Sequence, residues 1–147
     1  MSAVNVAPIY TRVGDIQWGA SDGNGGTPGP LKTANTAKDG TGTVLTVFTA
    51  DTTNGGYAEK IIVSTAGTNV PTVMRIFVNN GGSNATILNN VLRAELTLPA
   101  TTLSETQAQG PYVVALNWVL PPGYKINVTL GTTIAAGVFV SVDGGKY

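Results

Sequence analysis

In the stretch Leu88-Asn89-Asn90-Val91-Leu92-Arg93-Ala94-Glu95-Leu96-Thr97-Leu98, the apolar Leu92, Ala94, Leu96 and Leu98 alternate with Arg93, Glu95 and Thr97. Successive side chains of an extended strand point to opposite faces, so this pattern predicts a strand with one face buried and one in water. Working outward, the same signal recurs. Thr43 to Ala50 is rich in β-branched residues and lies between Gly40 and Gly42 on one side and Asn54-Gly55-Gly56 on the other. Tyr57 to Thr65 sets Ile61 and Val63 against Lys60, Ile62 and Ser64, and Val73 to Asn79 turns Met74, Ile76 and Val78 inward and Arg75 and Asn79 outward. Tyr112 to Leu120 alternates Tyr112, Val114, Leu116, Trp118 and Leu120 with Val113, Ala115, Asn117 and Val119, and both faces read as dry. After the Pro121-Pro122-Gly123 turn, Tyr124 to Leu130 directs Ile126 and Val128 inward. Ile134 to Val142 then ends at a turn over Asp143-Gly144-Gly145, and a weaker candidate strand covers Leu31 to Thr36.

About eight strands with no helix between them must pair mainly antiparallel. The predicted fold is therefore all-β: an antiparallel β-sandwich, jelly-roll-like, over residues 31–147, with a closed barrel as the alternative. Trp118 and Phe77 sit inside alternating runs and are assigned to the core.

Composition agrees. The 19 Gly and 8 Pro make up about 18 % of the 147 residues, against an ordinary ~12 %, which is too many breakers for long helices. Hydrophobic residues at 42 % are enough for one compact core. Charged residues are only 11 %, and 8 basic against 8 acidic side chains leave no net charge. Neither a basic footprint for nucleic acid nor a polybasic membrane patch is present, so neither partner is expected. A surface so poor in charge suits packing against neighbours, or a neutral surface kept soluble by Thr and Asn. The opening Met1-Ser2-Ala3-Val4-Asn5 lacks the charged and apolar regions of a leader, so the expectation is a chain made and kept in a cytoplasm.

Residues 1–30 show no sustained period and read as an extended N-terminal arm. Within it Ile9, Tyr10, Val13, Ile16 and Trp18 need burial. They either cap their own domain or lie across a neighbouring subunit, which makes them candidate binding residues.

The chemistry is thin. With no Cys and no His, disulfides, thiolate or imidazole metal sites and nucleophile–imidazole pairs are all absent. Asp22, Asp39, Asp51 and Asp143 are explained by turn formation. Asp22-x-Asn24-x-Gly26 begins like a calcium loop, but its third ligand position is Gly and the closing Glu is missing. Gly40-x-Gly42 opens a strand and not a helix, so it is no dinucleotide fingerprint. No catalytic or metal-binding residue is assigned and no cofactor is expected. Tyr57, Tyr112, Tyr124, Tyr147 and Trp18 could form a sugar-stacking face, or serve as half-buried edge residues.

The stretch Thr33-Ala34-Asn35-Thr36-Ala37-Lys38-Asp39-Gly40-Thr41-Gly42-Thr43 resembles the T-A-N-T-x-x-D-G-T-G-T signature of a family of small structural proteins of tailed bacteriophages. The order continues through Ile61 to Thr68, Met74 to Val78 and Leu120 to Val128. The closing Gly144-Gly145-Lys146-Tyr147 resembles the family's G-G-D-Y, with Lys146 in place of the acid. The resemblance covers roughly residues 30–147 and implies a β-sandwich virion protein. Its leading implication is a capsid decoration (cement) protein, a homotrimer on the outside of the major capsid protein lattice. A tail- or fibre-associated protein, and a carbohydrate-binding sandwich module on the particle, are the alternatives. Asn35, Asp39, Gly40, Thr41 and Gly42 form the signature loop, either a fixed structure using glycine backbone angles or a plain connector.

Overall fold

The computed structural model describes residues 11–18 and 30–147. Its eight strands are β1 (Val13–Gln17), β2 (Leu45–Thr49), β3 (Gly56–Thr65), β4 (Thr72–Asn79), β5 (Asn90–Leu98), β6 (Tyr112–Leu120), β7 (Lys125–Leu130) and β8 (Val138–Lys146). They form two four-stranded sheets, ordered β1-β8-β3-β6 (sheet A) and β2-β7-β4-β5 (sheet B), with every strand pair antiparallel. The chain is an all-β antiparallel sandwich, and the division into two separate sheets removes the closed barrel. Strands 1 and 8, 2 and 7, 3 and 6, and 4 and 5 are nested pairs, the order of a long hairpin rolled into two layers.

The inward faces meet in one core. Phe48, Ile61, Val63, Met74, Ile76, Ile126, Val128, Leu130 and Val142 are fully buried within it, each contributing about 1.5–3 kcal/mol of apolar burial. A buried polar knot closes one end. The Asn69 Nδ2 donates to the Gly137 carbonyl at 2.8 Å, its Oδ1 accepts from the Ala136 and Gly137 N–H groups, both at 2.9 Å, and its backbone exchanges two bonds with Thr101.

Several expectations change. Val13–Gln17, read as part of the arm, is the edge strand of sheet A, held by its register with β8. Leu31 to Thr36 makes only isolated bridges, Leu31 to Val138 and Ala34 to Leu130. β8 starts later than expected and runs straight through Asp143-Gly144-Gly145. No turn forms there, because glycine lets β8 press against β3: a Cβ on Gly144 would collide with the Tyr57 carbonyl. Strand β5 begins at Asn90, after a 3-10 turn over Ile87–Asn89 that leaves Leu88 91 % exposed.

The alternation that marked β5 is broken once. Ile76 faces Ala94 but Phe77 faces Leu92, so Arg93 is an extra residue and Leu92 turns to the opposite side from Ala94. Arg93 itself lies over the ring of Trp118 on β6, 4.8 Å from its centroid. Trp118 is half-buried against the core, as expected. Phe77 is fully buried, but the unbroken register of β4 with β7 puts it with Arg75 and Asn79 on the outer side of sheet B. Asn79, expected in water, is buried there too. The outer face of β6 is not dry: Val113 and Val119 are 55 % and 68 % exposed.

The two open sides of the sandwich are closed differently. Between β1 and β2, the Gln17 Nε2 donates to the Thr49 carbonyl at 3.0 Å and the Thr49 N–H returns a bond to Gln17 Oε1 at 2.7 Å. Between β5 and β6, among the described residues, Arg93 stacks over Trp118.

Candidate functional site

The signature loop is a clasp built from side-chain amides. The Asn35 Nδ2 donates to the carbonyls of Thr41 and Thr43 at 2.8 and 2.7 Å, and its Oδ1 accepts from the Ala37 N–H at 3.0 Å, so one side chain closes the loop. Asp39 Oδ1 accepts from the Thr41 hydroxyl at 2.6 Å and the Thr41 N–H at 3.0 Å. Those two bonds, the hydroxyl first, hold the Asp39 carboxyl below its ordinary range. Gly40 and Gly42 stand at φ +82° and +81°, where a side chain is strained. At Gly40 space forbids one as well, since an added Cβ would lie 2.7 Å from the Asn90 Cβ. These bonds and backbone angles are what the loop itself shows.

The clasp is locked from across the chain. The Asn84 Nδ2 donates to the carbonyls of Gly40 and Gly42 at 3.2 and 2.7 Å. The Asn90 Nδ2 donates to the Asn84 carbonyl, and the Asn79 Nδ2 to Asn90 Oδ1, both at 2.8 Å. Because Asn79 and Asn90 point away from the core, loop and turn lie over the outer side of sheet B, the side on which Phe77, Asn127 and Thr129 are buried. On the same side of sheet B, Asn127 Oδ1 accepts from the Thr46 hydroxyl at 2.8 Å. Sequence reasoning missed Asn79, Asn84 and Asn90; the Asn-rich run from Asn79 to Asn90 was the available signal.

The arm residues are divided. Ile9 and Tyr10 lie outside the described residues, as does the calcium-like Asp22-x-Asn24-x-Gly26. Val13 and Ile16 are each 60 % exposed and Trp18 54 %. Ile16 pairs with Asp143 and shares the outer side of sheet A with Phe139, Ile62 and Val113. That face carries one ion pair, Lys60 to Asp143 at 3.8 Å. The structure does not bring the exposed arm residues and the signature loop onto one surface: the first follow sheet A and the second sheet B.

Chemical equipment is sparse. Among the described residues no three metal-ligating side chains gather, and no helix is long and apolar enough to cross a membrane. Asp51 is held below its ordinary range by the N–H groups of Asn54 and Thr53, so like Asp39 it serves its own turn. A groove of about 840 Å³ between Pro30–Thr36 and Thr43–Leu45 has Lys32 as its one charged lining residue among those described. Tyr57 and Tyr112 are half-buried strand residues, Tyr124 and Tyr147 are half-buried residues just outside β7 and β8, and the Tyr57 hydroxyl donates to Asn117 Oδ1 at 2.7 Å. Comparison of the chain with protein families, with curated proteins and with solved structures finds no match.

Proposed function

We propose that the chain is a bacteriophage virion structural protein, a capsid decoration (cement) protein. It binds the outside of the major capsid protein lattice, associates with itself as a homotrimer, and stabilises the head without catalysing a reaction. It is made in the host cytoplasm and ends on the capsid surface. The observation that carries this reading is the outer face of sheet A: Ile16, Val113, Val119 and Phe139 are all more than half exposed around a single ion pair. Exposed apolar surface of this extent is characteristic of contact surfaces. The resemblance of the Thr33–Thr43 stretch to the phage signature supports it, and the jelly-roll reading of the nested strand pairs is compatible with it.

In this reading the half of sheet A around Ile16, Trp18 and Phe139 meets the shell, with residues 1–10 as an added grip. Deleting residues 2–25 would also remove β1 and Gln17, so the informative truncation stops at residue 10. The deciding experiment is quantitative mass spectrometry of purified virions. A ratio to the major capsid protein on the order of one supports decoration of a repeating lattice. A ratio of a few per hundred moves the chain to the tail or a fibre, and absence from the particle overturns the reading.

A further inference from the structure

We infer that the β5–β6 side of the sandwich is the seam along which this chain binds a second copy of itself. Strands β5 and β6 are the outer strands of their sheets on the same open side, joined through Arg93 and Trp118. On the β5 flank, Ile87 and Val91 are each 57 % exposed, Leu88 91 % and Leu92 41 %, four large aliphatics within six positions. On the β6 flank, Val119, next to Trp118, is 68 % exposed.

The edge itself carries one irregularity, a register shift opposite Ala58 to Lys60 where Asn117 stands at φ +52°, and the rest of it is unguarded. Proteins protect exposed edges with charge, proline or very short strands. Here β6 is a nine-residue strand, YVVALNWVL, with neither charge nor proline, and β3 is its one strand neighbour among the described residues. The charges nearby are already engaged: Arg93 over Trp118, and Glu95 with the Arg75 Nε at 2.9 Å. By contrast the opposite edge, β1, is five residues long, contains Gly14 and Asp15, and is laced to β2 through Gln17.

A second copy fits this side for two reasons. The chain has no net charge, so copies meet without electrostatic repulsion, and an apolar seam with its charges engaged is its own complement. The area is also sufficient. A strand of nine residues is about 30 Å long and two sheets with their side chains are about 20 Å deep, giving about 600 Å² per copy and about 1,200 Å² in total, above the ~1,000 Å² of a specific interface.

The inference deepens the self-association in the proposed function but is measured on the purified chain, with no particle present. Failure of the virion experiment leaves this result standing, and the reverse also holds. Sedimentation velocity of the full chain across a concentration series compares it with Leu88→Lys/Val119→Lys and with Ile16→Lys on the opposite side. Circular dichroism checks that each variant is folded, which their exposure favours. The unaltered chain is expected to associate, with the double variant about 100-fold weaker, two losses of about tenfold each, and Ile16→Lys unchanged. An unaltered chain that stays monomeric up to about 200 μM overturns the inference, as does an oligomer that Ile16→Lys dissociates and the double variant does not.

Discussion

Phe77 and Phe139 both point outward from their sheets, yet Phe77 is 0 % exposed and Phe139 51 %. Outside sheet B the chain folds back over itself. Asn35, Asn84 and Asn90 tie loop to turn with amide–carbonyl bonds, and Phe77 and Asn127 are buried on that side. Nothing comparable crosses sheet A among the described residues, so its apolar side chains meet water. The difference lies in the loops rather than in the strands, since both sheets have four strands and both contribute to one core. One face is covered within the chain, and the other keeps apolar side chains exposed among the described residues.

The sharpest way to break this contrast is Phe77→Ala. It should lower unfolding stability by about 3–5 kcal/mol in denaturant titration, the cost of truncating a core aromatic, although Phe77 lies outside the inter-sheet core. A loss below ~1 kcal/mol would mean that the cover over sheet B is loose. Asn35→Ala removes both donors that close the clasp and should cost about 2 kcal/mol in the same titration, with faster amide exchange from Thr41 to Thr43. Thr129→Val works in the other direction. The Thr129 hydroxyl is buried under the cover without a hydrogen-bond partner, so removing it should raise stability by about 1 kcal/mol, read as a higher denaturant midpoint.

Acid should act on the clasp through Asp39. Its folded pKa is depressed, so its contribution is present above the ordinary value of 3.8 and is lost as pH falls through the folded value. Asp39→Asn should therefore flatten stability against pH below about 4, and an unchanged acid limb would show that the Thr41 bonds contribute nothing. The smallest effect belongs to the other face. Phe139→Ser should leave stability within about 0.5 kcal/mol while weakening capsid association in a particle pull-down. If it destabilises like Phe77→Ala, sheet A is covered after all.

How legible this was from sequence depends on where each residue's partner lies. Three of the four interior strands are readable because alternation is a local record of burial: β3, β4 and β7 fall within a residue or two of their expected bounds, whereas β8 is displaced by four. Strand β1 is not readable, since V-G-D-I-Q carries no period and owes its conformation to β8, more than 120 positions away. The extra residue at Arg93 turned Leu92 to the wrong side, and a bulge leaves no mark in an alternation count. The signature stretch stood out as a motif, but its role as a clasp depends on Asn84, 42 and 44 positions beyond the two glycine carbonyls it holds. The bare side of β6 read as dry because a valine row in an edge strand has the same letters as one in a core.

The nesting of the strands also sets the order of events in time. β8 lies between β1 and β3, and Lys146 is in register with both Val13 and Gly56. Sheet A therefore cannot zip up until almost the whole described stretch has been synthesised, and its closure joins points that are far apart along the chain. Topologies dominated by such distant pairings fold in milliseconds to seconds rather than microseconds. During that interval the edge of β3 that will receive β8 stays open, beside the uncharged strand β6, in a crowded cell. Slow refolding, with aggregation that rises steeply with concentration, is the kinetic signature this architecture should leave.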